Sequence, residues 1–347
     1  MVRLRRSPTF LLLGLLACTL GSSLAAPTAE AGGAFFSSPT GPVDRPRLER
    51  EKALIIHDAA RGREHFVREF AFRGAERFGI VVPTPSLPEV AKVDIPPFSR
   101  LRGSFPFEMP RPSDDDRATG CGSSRGGPVE VVATEKVGSF TAFTLRATDA
   151  TALAKWLADN ELVSTPAADR WFTPYVRMGF YFVALRYDPP EATGSNKYAV
   201  AAETIRISFA TPVAYYPYSE PEPEHDVIGP RLLELWYVGS VPVVPVARYI
   251  DKTQPDAQPR WVRPLQPGID LSATRLDVEA VLVDGLRSLL PAGKLVVQTF
   301  QDQKLRRSGY QDILFAFAAA TPLSPAQQEV LTPLLGVLDP TLIWEVR

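Results

Sequence analysis

With 347 residues, of which 45% are hydrophobic and 10% aromatic, the chain can form one large or two ordinary domains with a substantial core. This composition excludes a wholly disordered protein, and a formal net charge of −1 excludes the strongly basic surface typical of nucleic-acid binders. The 34 prolines predict many fixed turns and short elements instead of long regular helices.

The N-terminus has the pattern of a secretory signal peptide. Arg3, Arg5 and Arg6 precede an apolar run over residues 10–17. That run is shorter than the roughly 20 residues that a membrane-spanning helix needs. The sequence therefore predicts a signal peptide over residues 1–31 and an exported protein, located in the periplasm or outside the cell. No longer apolar stretch follows, so the mature chain is predicted to lack a transmembrane helix.

The sequence leaves the cleavage position open. Residues 23–25 and 29–31 both have the small-x-small pattern of a cleavage site, whereas residues 15–18 resemble a lipobox. Cleavage at the lipobox would leave Cys18 lipidated and the protein anchored to the outer membrane. Cys18 belongs to the export signal, so Cys121 has no partner for an internal disulfide and is predicted to be an inert thiol in a glycine-rich loop.

Apolar periodicity predicts an α+β fold with mainly antiparallel sheets and a few short helices packed on one face. Strands are predicted at residues 53–57, 65–73, 78–82, 129–136, 140–146, 180–187, 199–209, 213–218, 232–238, 243–249, 295–300, 313–318 and 342–346. The first three are joined by short connections, which indicates an antiparallel meander. The strand at 180–187 is apolar on both faces, as in the centre of a sheet.

Helix signals occur at several places along the chain. Thr148 or Asp149 would cap a helix that ends at Asn160 in a left-handed conformation. Thr165 would start a second helix, which Pro174 interrupts. Further helices are predicted at residues 276–290 and from residue 324 onwards.

An acidic, proline-rich segment over residues 220–226 predicts a domain boundary. The signal peptide at residues 1–31 would then be followed by an α+β domain over residues 32–220 and a C-terminal α+β region over residues 221–347. The sequence leaves open whether that region is a separate domain or is continuous with the first.

Several segments before residue 220 form an ordered set. They are AGGAFF at residues 31–36, FGIVVPTPSLP at 78–88, VGSF at 137–140, the helix at 148–162, and YVRMGFYFVAL at 175–185. Together they resemble the bacterial family known as domain of unknown function 2330, over residues 31–220. The resemblance implies an exported protein of that family's fold, and it implies no catalytic residues, because none are known for the family.

The chain departs from the family at two positions. The family usually has a cysteine before the paired glycines and another after the paired phenylalanines, where this chain has Ala31 and Ser37. A disulfide or a metal site built from those cysteines is therefore not available here.

The chain has only three histidines. His57 and His65 flank a turn that contains Asp58 and Glu64, a pattern that allows a metal or acid/base site but is more typical of solvated turn residues. His225 lies in an acidic segment that is more typical of a solvated linker than of a cation site.

Two other patterns carry weak functional signals. Residues 122–126 match G-x-S-x-G, but they lack the preceding strand and the following helix of a nucleophile elbow, so a chance match in a loop is favoured. Tyr215, Tyr216 and Tyr218 would suit a carbohydrate or peptide groove, although a half-buried edge strand explains them better.

The absence of sequence motifs for catalysis, cofactors or metals predicts a noncatalytic binding or structural module of the cell envelope. Its partner would be an unknown envelope or extracellular molecule and not nucleic acid, with membrane contact only through a lipid on Cys18. The alternative is an exported hydrolase that uses scattered carboxylates. The binding module predicts a continuous sheet without a pocket where perturbed acids converge, and the hydrolase predicts two carboxylates in a deep cleft.

Overall fold

The structure is a computed structural model that describes residues 34–37, 47–73, 78–107, 129–137, 140–187, 201–222, 232–250, 260–268, 273–303 and 307–317. The strands of this part are β1 Ala34–Ser37, β2 Arg47–Asp58, β3 Arg63–Arg73, β4 Phe78–Thr84, β5 Glu89–Lys92, β6 Val129–Val137, β7 Phe140–Ala147, β8 Tyr181–Tyr187, β9 Ala201–Ala210, β10 Ala214–Tyr216, β11 Leu232–Gly239, β12 Val243–Tyr249, β13 Arg260–Val262, β14 Gln266–Pro267, β15 Val296–Asp302 and β16 Ile313–Phe317. The helices are α1 Phe98–Ser104, α2 Ala150–Asp159, α3 Pro166–Arg177, α4 Arg275–Val281 and α5 Asp284–Arg287.

The strands form three sheets, and the predicted α+β class is confirmed. The largest has seven strands in the order β14-β15-β11-β2-β3-β9-β5, the second has five in the order β1-β4-β8-β7-β6, and the smallest has four in the order β10-β16-β12-β13. Neighbouring strands are antiparallel except for β11 and β2, which are parallel. Strands from both sides of residue 220 therefore share the largest sheet, and the boundary near that residue stays a prediction.

The seven-stranded sheet is buried on both faces. Alternate residues of β2 point to opposite sides: Ala53 and Ile55 join a large core shared with the other two sheets, whereas Leu54 and Ile56 join a second core. That second core is completed by apolar side chains of α1, α4 and α5. Because both faces are covered, the strand reads as a continuous apolar run from Ala53 to Ile56.

Helices α2 and α3 begin as their capping residues predict. The side chain of Asp149 accepts a hydrogen bond from the Ala152 amide at 3.0 Å, and Thr165 accepts one from the Ala168 amide at 3.1 Å. Trp171 and Phe172 of α3 are buried in the large core, as expected. Among these two helices, α3 lies closest to the functional region described below.

Two predictions at these helices were wrong. The prediction that Pro174 interrupts α3 fails because the helix continues to Arg177, with the Met178 amide bonded to the Pro174 carbonyl at 3.1 Å. A proline inside a helix removes one donor and crowds the carbonyl four residues earlier, and the helix accommodates both at the exposed Pro174 without ending there. The left-handed residue after α2 is Glu161, with φ of 61°, and not Asn160. Asn160 instead caps the helix through its side chain, which donates to the Trp156 carbonyl at 3.0 Å.

The strands predicted within the described residues agree with the structure except in their grouping, whereas β1, β5, β13 and β14 were not predicted. β2 and β3 form the expected antiparallel hairpin, and β6 pairs with β7 as predicted. β4 was expected to continue the first hairpin as a meander, but it lies in the five-stranded sheet between β1 and β8. The predicted helix over residues 276–290 is divided into α4 and α5, because Leu282 is extended with ψ of 146°.

Some predictions fall outside the described residues. These are the signal peptide with Cys18, the Cys121 loop with the G-x-S-x-G match, His225, and the elements after residue 317. Within the described residues, no helix has both the length and the apolar character that crossing a bilayer requires.

Candidate functional site

A cavity of about 700 Å³ lies between helix α3 and the four-stranded sheet. Helix α3 supplies one wall through a single face, on which Ala167, Arg170, Trp171 and Pro174 occupy the positions i, i+3, i+4 and i+7. The remaining walls come from β10, β12, β13, the segment 219–222 and the segment 309–314. These contributions are far apart in the chain, so only the folded protein brings them together.

Aromatic side chains dominate the lining. They are Trp171, Tyr175, Phe180, Tyr215, Trp261 and Tyr310. Several rings contact one another: the Trp171 and Tyr175 centroids are 5.0 Å apart, and those of Phe180 and Tyr215 are 6.1 Å apart. Rings packed in this way have positions that are fixed before a ligand arrives.

Asp312 is a buried acid of the cavity with a perturbed pKa. Its Oδ2 atom accepts a hydrogen bond from the Tyr215 hydroxyl at 2.5 Å, and its Oδ1 atom accepts one from the Ser219 amide at 2.8 Å. Burial raises the pKa of Asp312 to about 6, although these hydrogen bonds act in the opposite direction. The carboxyl group therefore joins β10 to the start of β16, and both of its oxygens are engaged by the protein.

A buried ion cluster, formed by Glu51, Arg68, Asp302 and Arg307, lies beside the cavity. Arg307 pairs with Asp302 at 3.2 Å and with Glu51 at 3.3 Å, and Arg68 pairs with Glu51 at 2.9 Å. All four residues are less than 5% exposed. Glu220 connects the two features, because it lines the cavity and lies 3.8 Å from Arg307.

The three tyrosines singled out in the sequence divide between these features. Tyr215 lines the cavity, whereas Tyr216 donates a hydrogen bond to Glu51 and Tyr218 donates one to Asp302 at 2.8 Å in the ion cluster. Burial raises the pKa of Tyr216 and Tyr218 well above the usual range, so both phenols stay protonated and donate. β10 is an edge strand as predicted, but the prediction of half-burial was wrong because all three rings are at most 2% exposed.

The prediction that His57 and His65 are solvated turn residues was wrong. Both are buried, because the ends of β2 and β3 are covered by β9 and by the turn after it. His57 Nε2 donates to the Thr211 carbonyl at 3.2 Å, and His65 Nδ1 lies 2.8 Å from the Ser208 hydroxyl. Burial lowers the pKa of each histidine to about 4, so both are neutral at physiological pH.

The two acids of the same turn do not complete a metal site. Asp58 accepts hydrogen bonds from the Ala60 and Arg61 amides at 3.0 Å. Glu64 accepts one from the Tyr215 amide at 2.7 Å, and burial raises its pKa well above the usual range. Within the described ranges, no group of three or more His, Cys, Asp or Glu side chains is arranged to hold a metal ion.

Most cavity residues carry no signal in the sequence. Arg248, Trp261 and the segment with Tyr310 and Asp312 are separate parts of the chain after residue 220, and none belongs to a recognisable motif. The Tyr215 region was the only part of the cavity that the aromatic pattern indicated.

The fold and the site thus define an α+β protein with a preformed aromatic cavity. The family model described as an uncharacterised protein conserved in bacteria, domain of unknown function 2330, matches residues 27–219. The chain belongs to this family. No curated protein and no solved structure shows a significant match.

Proposed function

We propose that the chain is an exported envelope protein that binds a small ligand in the aromatic cavity without changing it chemically. The single observation that carries this proposal is the cavity itself. Its volume of about 700 Å³ falls in the range of small-molecule sites, and its lining combines six aromatic side chains with three arginines and three acids. The sequence led to the expectation of a sheet without a pocket where perturbed acids converge, and the cavity lined by Asp312 does not agree with it, so we place binding in the cavity.

Export is supported by the N-terminal sequence, with its three arginines and the apolar run over residues 10–17. Protein isolated from native envelope fractions is expected to lack its N-terminal segment. Intact mass and N-terminal analysis distinguish cleavage near residue 31 from cleavage before a lipidated Cys18. Recovery of the native protein from the cytosol with Met1 still present would contradict export and leave the cavity proposal standing.

Binding in the cavity is tested by truncating one of its aromatic side chains. Trp261 is half-buried and lines the cavity from β13, so Trp261→Ala removes ring contact area with limited cost to the fold. We expect its affinity for the neutral fluorescent probe N-phenylnaphthylamine to fall about tenfold relative to the parent chain, because aromatic contact and apolar burial are both lost. Probe fluorescence titration measures this.

Trp156→Ala is the matched control. Trp156 is also half-buried, but it packs against Phe143 and lies outside the cavity lining. Its affinity for the probe is expected to equal that of the parent chain. Equal losses in both variants, or no saturable binding by the parent chain, would contradict the cavity as a binding site.

One observation favours the alternative of a carboxylate hydrolase. Asp312 lines the cavity, and burial raises its pKa to about 6, a value suited to a general acid. Glu220 and Glu222 line the same cavity. Against catalysis, Asp312 is already bonded through both oxygens to Tyr215 and Ser219. The binding proposal is therefore the better supported of the two.

A further inference from the structure

Three arginines contribute to the cavity lining from two different elements. Arg170 and Arg177 are seven residues apart on α3, so they lie on the same side of the helix, two turns apart. Arg248 comes from β12 and is half-buried. Positive charge is therefore presented to the cavity from both the helix and the sheet.

None of these arginines makes an ion pair with another residue in the part of the chain that the structure describes. The acids of the cavity, in contrast, each have a hydrogen-bond or ion-pair partner in the protein. Asp312 is bonded to Tyr215 and Ser219, Glu220 lies 3.8 Å from Arg307, and Glu222 accepts a hydrogen bond from Ser308 at 3.5 Å. The negative charges are thus engaged by the protein, while the positive charges are available to a ligand.

We infer that the ligand is a small organic anion: an apolar, ring-containing body that stacks on Trp261 and Tyr310, with an acidic group that pairs with Arg248 and with the arginines of α3. This inference rests on the proposed function, since it names the chemical class of the cavity's ligand. Guanidinium groups suit it because they bind carboxylate, sulfonate or phosphate oxygens in a planar, two-pronged geometry. The apolar wall beside the half-buried Arg248 strengthens the attraction there by excluding water.

Two fluorescent probes that share one ring system test the inference. Anilinonaphthalene sulfonate carries a negative charge, and N-phenylnaphthylamine has the same rings without it. The parent chain is expected to bind the anionic probe about tenfold more tightly than the neutral one. Arg248→Gln, and separately Arg170→Gln combined with Arg177→Gln, are expected to reduce the ratio of the two affinities to about threefold or less.

Arg100→Gln is the control for these variants. Arg100 is exposed on α1, which packs on the second core and supplies nothing to the cavity lining. Its preference for the anionic probe is expected to match that of the parent chain, and near-ultraviolet circular dichroism checks that every variant keeps its packed core.

These experiments distinguish failure of the anionic ligand from failure of the cavity as a binding site. Equal binding of both probes by the parent chain, or a charge preference that survives all the cavity arginine substitutions, overturns the anionic ligand but not the cavity. Failure of both probes to bind, or binding that Trp261→Ala does not weaken, overturns the cavity proposal itself.

Discussion

Replacing Arg307 with methionine is expected to lower the free energy of unfolding by about 3–5 kcal/mol. Arg307 is 1% exposed and lies among Asp302, Glu51 and Glu220, at 3.2, 3.3 and 3.8 Å. Methionine fills a similar volume but supplies no charge, so three buried carboxylates lose their shared partner. Arg68 still pairs with Glu51 in the variant, whereas Asp302 and Glu220 each lose the contact with Arg307.

The control for this prediction is Arg61→Met. Arg61 also forms an ion pair, with Asp58 at 3.1 Å, but its side chain is 71% exposed. Exposed pairs of this kind contribute at most about 1 kcal/mol. Urea denaturation at pH 7 measures both variants. An Arg307→Met protein as stable as Arg61→Met would contradict the buried ion cluster as a stabilising connection between the largest sheet and the segment after residue 302.

Acidification is expected to destabilise the protein through His57. Burial lowers the pKa of His57 from 6.5 to about 4 in the folded state, so the unfolded chain takes up the proton first as the pH falls. The contribution of neutral His57 to the free energy of unfolding is therefore complete above pH 6.5 and is lost as the pH falls to about 4. For a group this buried, the loss amounts to roughly 3 kcal/mol.

His57→Gln isolates this contribution. Glutamine keeps a donor that reaches the Thr211 carbonyl but does not titrate, so the variant is expected to lose roughly 3 kcal/mol less than the parent chain between pH 7 and pH 4. Asp312 acts in the opposite direction, since burial raises its pKa to about 6 and the folded state binds its proton first. Both proteins contain Asp312, so its contribution cancels when the stability losses of the two proteins are compared. Equal losses in the two proteins would contradict the neutral, buried histidine.

Local sequence patterns determine much of the fold. The alternation over residues 65–73 and the apolar run at 53–57 predict β3 and β2, and Asp149 and Thr165 mark the helix starts. These features depend on neighbouring residues alone. The position of β4 does not depend on neighbouring residues alone, because a short connection permits a strand to leave the sheet of the preceding hairpin. Sheet membership is decided by distant pairing partners such as β8.

The site depends even more on distant contacts. The polar residues of β2 and β3, among them Glu51 and Arg68, look like a solvated face in the sequence. They are buried because other elements cover that face, and buried charges then require partners from distant segments, such as Arg307. The cavity likewise combines α3 with Trp261 and Asp312, whose proximity no local pattern specifies.

A crystal structure of the mature protein, grown with saturating N-phenylnaphthylamine, tests whether the space between α3 and the four-stranded sheet takes up a small ligand. We expect the naphthyl ring to lie inside the cavity, in contact with Trp261 and Tyr310. A probe bound elsewhere on the protein, with the cavity left empty at saturation, would contradict it.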